Sequence, residues 1–128
     1  MYKNYNTAQT SIALNLNFDI PNNHIARLID MFVETIPHNI IETSMATTGR
    51  PAYHPAMLIK MLLFAYSRKV FSGRRIVEMN TENIPMKWLS QDATISYKTI
   101  NNFRSSKEVS NLIKISFIYF TKLLADNG

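Results

Sequence analysis

The side chains best suited to contacting another molecule lie in one short polar stretch, residues 97–107. Its two core-type residues, Ile100 and Phe103, are three apart, so a helix over 97–105 buries one narrow face. Exposed asparagine and arginine can each bond two atoms of a base in the DNA major groove, and lysine suits phosphates. The candidate DNA contacts are Tyr97, Lys98, Thr99, Asn101, Asn102, Arg104 and Lys107. The alternative is that this helix has no binding role, because short helices with an exposed polar face occur in most α-helical domains.

A second candidate contact is the pair Arg74–Arg75, which follows a predicted helix cap at Ser72. The first N–H groups of a helix attract phosphate, and two guanidinium groups beside them strengthen that attraction. Two adjacent arginines are nevertheless more often a solvated pair than a phosphate clamp.

The positive charge of the chain is concentrated in one region. Between residues 50 and 107 there are ten basic and three acidic residues, whereas the rest of the chain has four basic and six acidic ones. A local basic field on a small helical unit favours double-stranded DNA as the partner. The alternative is an ordinary surface that happens to carry lysine and arginine.

Composition argues against several other classes of function. The 128 residues are enough for one domain, and with no cysteine there is neither a disulfide scaffold nor a thiolate metal site. The three histidines are scattered, and we expect no cofactor and no metal. The longest apolar run, 56–66, is interrupted by Lys60 and is too short to span a bilayer, and the N-terminus lacks a signal peptide. We therefore expect a soluble, cytoplasmic, nucleoid-associated protein without a membrane partner.

Apolar spacing predicts an all-α fold, a compact multi-helix domain of five to seven helices. Residues 1–20 read as an extended N-terminal arm and residues 21–125 as the helical domain. Within it, a helix follows an asparagine cap at 22–23, a weak helix covers 39–46, and an apolar helix over 55–66 forms the centre. Three short helices over about 72–105 predict a helix-turn-helix-like unit, and Ser106 caps a long last helix.

Several motifs occur in order and carry a resemblance to a known family. They are Gly49-Arg50-Pro51-Ala52-Tyr53-His54-Pro55, the run Met57–Tyr66, Phe71-Ser72-Gly73-Arg74-Arg75-Ile76, Trp88-Leu89, Thr99-Ile100-Asn101 and Phe103-Arg104. Over roughly residues 1–120 the chain resembles the InsH-like N-terminal domain of bacterial insertion-sequence transposases of the DDE class.

The resemblance implies DNA binding at the terminal inverted repeats of a mobile element, which positions a C-terminal RNase H-like domain that cuts and joins DNA. It adds Arg50 to the candidate DNA contacts. The residues that match motif positions of the family are Arg50, Tyr53, Arg74, Arg75, Thr99, Asn101 and Arg104.

Two positions depart from the family pattern. The turn before the last short helix usually has proline where this chain has Ile95, and the usual arginine between Asn101 and Phe103 is Asn102. The first change is expected to loosen the turn, and the second removes a cation from the proposed DNA face.

We expect no catalysis by this chain alone. DDE chemistry needs three carboxylates that converge on two metal ions in an RNase H-like sheet. The sequence has nine acidic residues, no β-rich region to hold them, and ends where the catalytic domain of the family would begin.

A different class of function is a protein-interaction or dimerisation module, or an inert remnant of a transposase. The last helix has a long apolar stripe that ends in aromatic residues, so a homodimer through this helix is a further candidate partner. Tyr119 lies off the stripe, and its position distinguishes the DNA-binding function from the protein-interaction function. Its exposure beside Phe117 would favour a partner surface.

Overall fold

The computed structural model describes residues 20–45 and 53–127, and within them the chain forms seven α-helices and no strand. The all-α prediction is confirmed. Of the predicted N-terminal arm, only Ile20 lies within the described residues, where its side chain is buried. The helices are α1 (Ile25–Glu34), α2 (His38–Met45), α3 (Pro55–Ser67), α4 (Gly73–Glu82), α5 (Ile84–Ser90), α6 (Tyr97–Phe103) and α7 (Lys107–Asn127).

Helix α3 forms the centre of the domain and packs against α1, α4, α5 and α7. All its residues from Pro55 to Ala65 are buried. Pro55 is at the first helical position, and Nδ1 of the cap residue His54 accepts the N–H of Ala56 at 3.0 Å. The prediction of a central core helix is confirmed, because a helix that is apolar on all sides is stable only when it is surrounded.

Lys60, one of the ten basic residues of the 50–107 region, is buried within α3. It is only 1% exposed, and its Nζ lies 2.8 Å from Asp30 Oδ1 and 3.4 Å from Glu34 Oε2. Asp30 and Glu34 are four residues apart, so both reach Lys60 from one face of α1. This ion pair compensates a charge that would otherwise be costly to bury, and it removes Lys60 from the surface field.

Helix α1 is capped by His24, so the predicted asparagine cap is wrong. Nδ1 of His24 accepts the N–H of Ala26 at 3.0 Å, and its ring lies 6.1 Å from the ring of Phe64. Histidine therefore caps the helix and packs against α3 with the same side chain. The weak helix predicted over 39–46 is present as α2, which packs on α7.

Helix α7 begins after Ser106, whose hydroxyl accepts the N–H of Val109 at 3.2 Å, as predicted. Most of the predicted apolar stripe is buried or half-buried, but Leu123 is 46% exposed. Tyr119, off the stripe, is 62% exposed, and neighbouring Phe117 is half-buried.

An apolar groove of about 400 Å³ lies between α1, α2 and α7, and we call it the α7 groove. Its lining includes Phe32, Ile36, Ile40, Leu112, Ile115, Tyr119 and Leu123. Its walls combine half-buried core residues with side chains that are largely in solvent.

Candidate nucleic-acid interface

The predicted interface is built from the three consecutive helices α4, α5 and α6. Their cap residues Ser72, Asn83 and Ser96 each accept a backbone N–H of the following helix through a side-chain oxygen, at 2.9 to 3.3 Å. Helix α4 packs against both α5 and α6. The three-helix unit predicted for residues 72–105 is therefore present, with α6 lying on α4.

Buried polar contacts hold the turn that leads into α6. Asn80, 6% exposed, donates through Nδ2 to the carbonyl of Ala93 at 2.9 Å and accepts the hydroxyl of Ser90 at 2.7 Å. Gln91 and Asp92 both adopt the left-handed conformation, with φ of 54° and 59°. Two such residues in a row reverse the chain sharply, and the Asn80 contacts stabilise that reversal.

The start of α6 is also held from its N-terminal side. The hydroxyl of Tyr53 donates to the carbonyl of Thr94 at 2.7 Å, and the side chain of Ile95 is 2% exposed. Ile95 stands where the resemblance implies a proline, and its side chain is buried in the core. The buried side chain restrains the turn by apolar packing, and the expected loosening relative to proline stays a prediction.

Helix α6 buries Ile100 and Phe103, at 0% and 2% exposure, as their spacing predicts. Lys98, Asn101 and Asn102 are exposed, but Asn101 accepts a hydrogen bond from Arg104. Lys98 and Asn102 are four residues apart and therefore lie on one side of the helix. We call these two residues the α6 face. It presents to solvent a cation and an amide that take no part in core packing.

Arg74 and Tyr97 join the first turns of α4 and α6. The guanidinium carbon of Arg74 lies 4.2 Å from the centre of the Tyr97 ring, a cation–π contact. Arg74 is exposed and Tyr97 is half-buried. Because Tyr97 directly precedes Lys98, this contact keeps a second positive charge close to the α6 face.

Arg75 points to a different surface. With Arg68, Glu78 and Glu82 it lines a groove of about 550 Å³ whose lining contains no residue of α6. The two carboxylates weaken the positive potential there. The adjacent arginines therefore do not form one clamp: Arg74 joins the α6 face, and Arg75 does not.

Arg104 is turned toward the protein. Its Nη1 donates to the Tyr66 hydroxyl at 3.0 Å and to the Phe71 carbonyl at 2.7 Å, and its Nη2 donates to Asn101 Oδ1 at 3.0 Å. Asn101 in turn lies against Gly73, where a Cβ atom would come within 2.6 Å of Asn101 Oδ1. Asn101 and Arg104 are thus engaged within the domain, on the side of α6 that faces α4.

The remaining candidates are more peripheral. Thr99 is half-buried, with its hydroxyl 3.2 Å from that of Ser96. Lys107 is exposed at the first residue of α7, next to the exposed Glu108. Arg50 lies outside the described residues.

The residues that sequence reasoning missed are those that hold the interface in place: Gly73, Tyr66 and Asn80. A polar Asn80 one turn after Ile76, on the inward side of α4, was a usable signal of a buried hydrogen bond. The roles of Gly73 and Tyr66 had no local signal, because both depend on contacts with α6.

Residues 20–45 and 53–127 contain no group of three or more histidine, aspartate or glutamate side chains that could hold a metal ion. Among the same residues, no helix is long and apolar enough to cross a membrane.

Comparison with known protein families gives one match. The family described as transposase domain (DUF772) matches residues 14–106, a range that covers α1 to α6 and ends directly before α7. No curated protein and no solved structure matches the chain.

Proposed function

This chain belongs to the transposase domain family (DUF772), and we propose that it binds double-stranded DNA and recognises the terminal inverted repeats of its mobile element. The proposal assigns the chain a binding role in DNA transposition, without catalysis of its own. Association with the nucleoid follows from such a role.

One observation carries this proposal: the exposed α6 face lies on a helix whose other side is buried in the domain. Ile100 and Phe103 anchor the helix, while Lys98 and Asn102 remain in solvent. A short helix that is anchored on one side and polar on the other is the element that DNA-binding domains insert into a major groove.

The side chains divide into two roles. Arg74, Lys98 and Lys107 are exposed cations around the start of α6 and the start of α7, and they are suited to phosphates on either side of a groove. Asn102 is the exposed amide of the α6 face as defined above, and it is suited to paired hydrogen bonds with adenine. Phosphate contacts supply affinity, and the amide supplies sequence preference.

The test is a titration of the purified chain against a duplex carrying the terminal inverted repeat and against a scrambled duplex, at several salt concentrations. We expect a steep fall of affinity with salt and a clear preference for the repeat. Lys122→Ala serves as the charge control, because Lys122 is exposed on α7 about 22 Å along the helix from Lys107. Absence of binding at low salt would exclude the proposed function.

A second candidate function, association of two copies of this chain, is favoured by the exposed apolar surface around the α7 groove. A monomer seldom exposes an apolar patch of more than a few hundred Å², and a stable dimer buries about 800 Å² on each partner. Four side chains of the groove lining are between 44% and 62% exposed and contribute to that area: Ile40, Ile115, Tyr119 and Leu123. The same patch on both copies allows a two-fold contact.

Sedimentation equilibrium of the chain over a wide concentration range tests this candidate. We expect a dimer that Tyr119→Glu dissociates, because a carboxylate in the α7 groove would be buried without a partner. Thr121→Glu is the matched control, since Thr121 is exposed on the opposite side of α7. A monomer at all concentrations would exclude self-association while leaving the DNA-binding proposal standing.

A further inference from the structure

Arg104 joins α6 to a junction of several elements instead of extending into solvent. Its guanidinium donates to the Tyr66 hydroxyl near the end of α3, to the Phe71 carbonyl in the α3–α4 connection, and to Asn101 within α6. It is half-buried, at the C-cap of α6. One side chain therefore ties the end of α6 to two other parts of the domain.

Packing holds the acceptor group of this junction in place. The Tyr66 ring lies 5.4 Å from the ring of Phe71 and 6.2 Å from the ring of Phe117 on α7. A ring held between two others has little freedom to move its hydroxyl. Arg104 is thus bonded to a hydroxyl whose ring is restrained by two neighbouring rings, of which Phe71 is itself 59% exposed. Hydrogen bonds from a charged donor are among the stronger ones in proteins.

A second contact joins α6 to α4. Gly73, the first residue of α4, is buried under the Asn101 side chain, which Arg104 Nη2 holds at 3.0 Å. A methyl group at residue 73 would lie 2.6 Å from Asn101 Oδ1, so the amide would have to move. The small residue thus leaves room for the Asn101 amide that Arg104 holds.

We propose that Arg104 is a positioning residue: its bonds to Tyr66, Phe71 and Asn101 set the orientation of the α6 face toward DNA. Lys98 and Asn102, not Arg104, then make the contacts to the groove. This inference rests on the proposed function, because it assigns a role within the same interface.

The first test needs no DNA. Amide hydrogen exchange is measured across the chain for the wild type, Arg104→Met and Tyr66→Phe, with Lys122→Met as a control for loss of a surface charge. We expect protection of the amides in α6 to fall by about tenfold in Arg104→Met, with a smaller fall in Tyr66→Phe and no change in α1. Unchanged protection of α6 in both variants would overturn the proposal.

Tyr66→Phe keeps the folded core, since it removes only a hydroxyl, and it leaves the charge of Arg104 in place. It therefore separates positioning from charge. A Gly73→Ala variant offers an independent check, because it displaces Asn101 without altering any ionisable group. We expect it to lower α6 protection in the same direction as Tyr66→Phe.

The second test measures affinity for the inverted repeat with each base pair changed in turn. We expect Arg104→Met and Tyr66→Phe to weaken discrimination at every base pair at which Asn102→Ala weakens it. If Arg104→Met instead loses discrimination at a single base pair, and Asn102→Ala does not affect that base pair, Arg104 contacts the base pair directly. That result would overturn the proposal. If the wild type shows no preference for the repeat, the proposed function fails, and hydrogen exchange still decides whether Arg104 holds α6.

Discussion

Lys60 Nζ lies 2.8 Å from Asp30 Oδ1, so a buried ion pair ties the centre of an otherwise apolar helix to α1. The two partners are not equally buried: Lys60 is 1% exposed and Asp30 is 18% exposed. Removal of the Asp30 charge leaves a buried ammonium, whereas removal of Lys60 leaves a carboxylate that is partly in solvent. The two substitutions therefore differ in their cost to stability.

Asp30→Asn is therefore expected to destabilise the domain more than Lys60→Met. Asp30→Asn leaves the buried Lys60 ammonium 3.4 Å from the Glu34 carboxylate, and it should lower the free energy of unfolding by about 3 kcal/mol. Lys60→Met removes the buried charge and keeps an apolar chain of similar length, so it should change stability by less than about 1 kcal/mol. Urea unfolding of the three proteins measures both differences, and equal costs would contradict the assignment of Lys60 as the desolvated partner.

Arg74→Ala and Arg75→Ala are expected to differ in DNA binding although the residues are adjacent. Arg74 stacks on Tyr97 beside the α6 face, whereas Arg75 lines a groove with two carboxylates. Loss of one phosphate contact lowers the salt slope by about one unit, so Arg74→Ala should show that decrease and Arg75→Ala a smaller one. Equal decreases in the salt slope would indicate that both arginines contact phosphates.

Asn102→Arg is expected to raise the affinity for DNA. The variant introduces the arginine that the resemblance implies between Asn101 and Phe103, on the exposed side of α6. An added cation at the interface should raise affinity at low salt and steepen the salt slope by about one unit. The same titration with Thr121→Arg, which adds the charge on α7, is the control. An unchanged slope in Asn102→Arg would argue against contact between the α6 face and DNA.

His54→Asn is expected to reduce the loss of stability in acid. Burial lowers the pKa of His54 below its ordinary value of 6.5, with the carboxylate of Glu34 opposing the shift and the charges of His38 and Lys60 adding to it. The lowered pKa means that the unfolded chain binds the proton more readily, so this group's stabilisation is present above pH 6.5 and is lost as the pH falls below it.

Asparagine caps a helix as well as histidine does but does not titrate. As the pH is lowered from about 8 to about 5, the wild type should therefore lose more unfolding free energy than the variant does. Urea unfolding at both pH values measures this loss in each protein. Equal losses would show that His54 contributes nothing to the acid response.

Local patterns in the sequence were sufficient for much of the fold and for part of the site. The spacing of Ile100 and Phe103 predicts the buried side of α6, and the sequence also predicts the caps at Ser72 and Ser106. These features depend on residues within one or two turns of each other, and helical periodicity is itself local. Tyr119 was singled out for the same reason, because its place off the stripe of α7 follows from periodicity.

The tertiary structure alone decided which of the charged residues face solvent. Lys60 and Arg104 both count as cations in the sequence, but one is buried against α1 and the other is bonded to Tyr66, 38 residues earlier in the chain. Sequence spacing carries no information on such distances, because they are set by how helices pack against one another. The all-α fold and the polar side of α6 were thus determined by the sequence, and the direction of each guanidinium and ammonium group by packing.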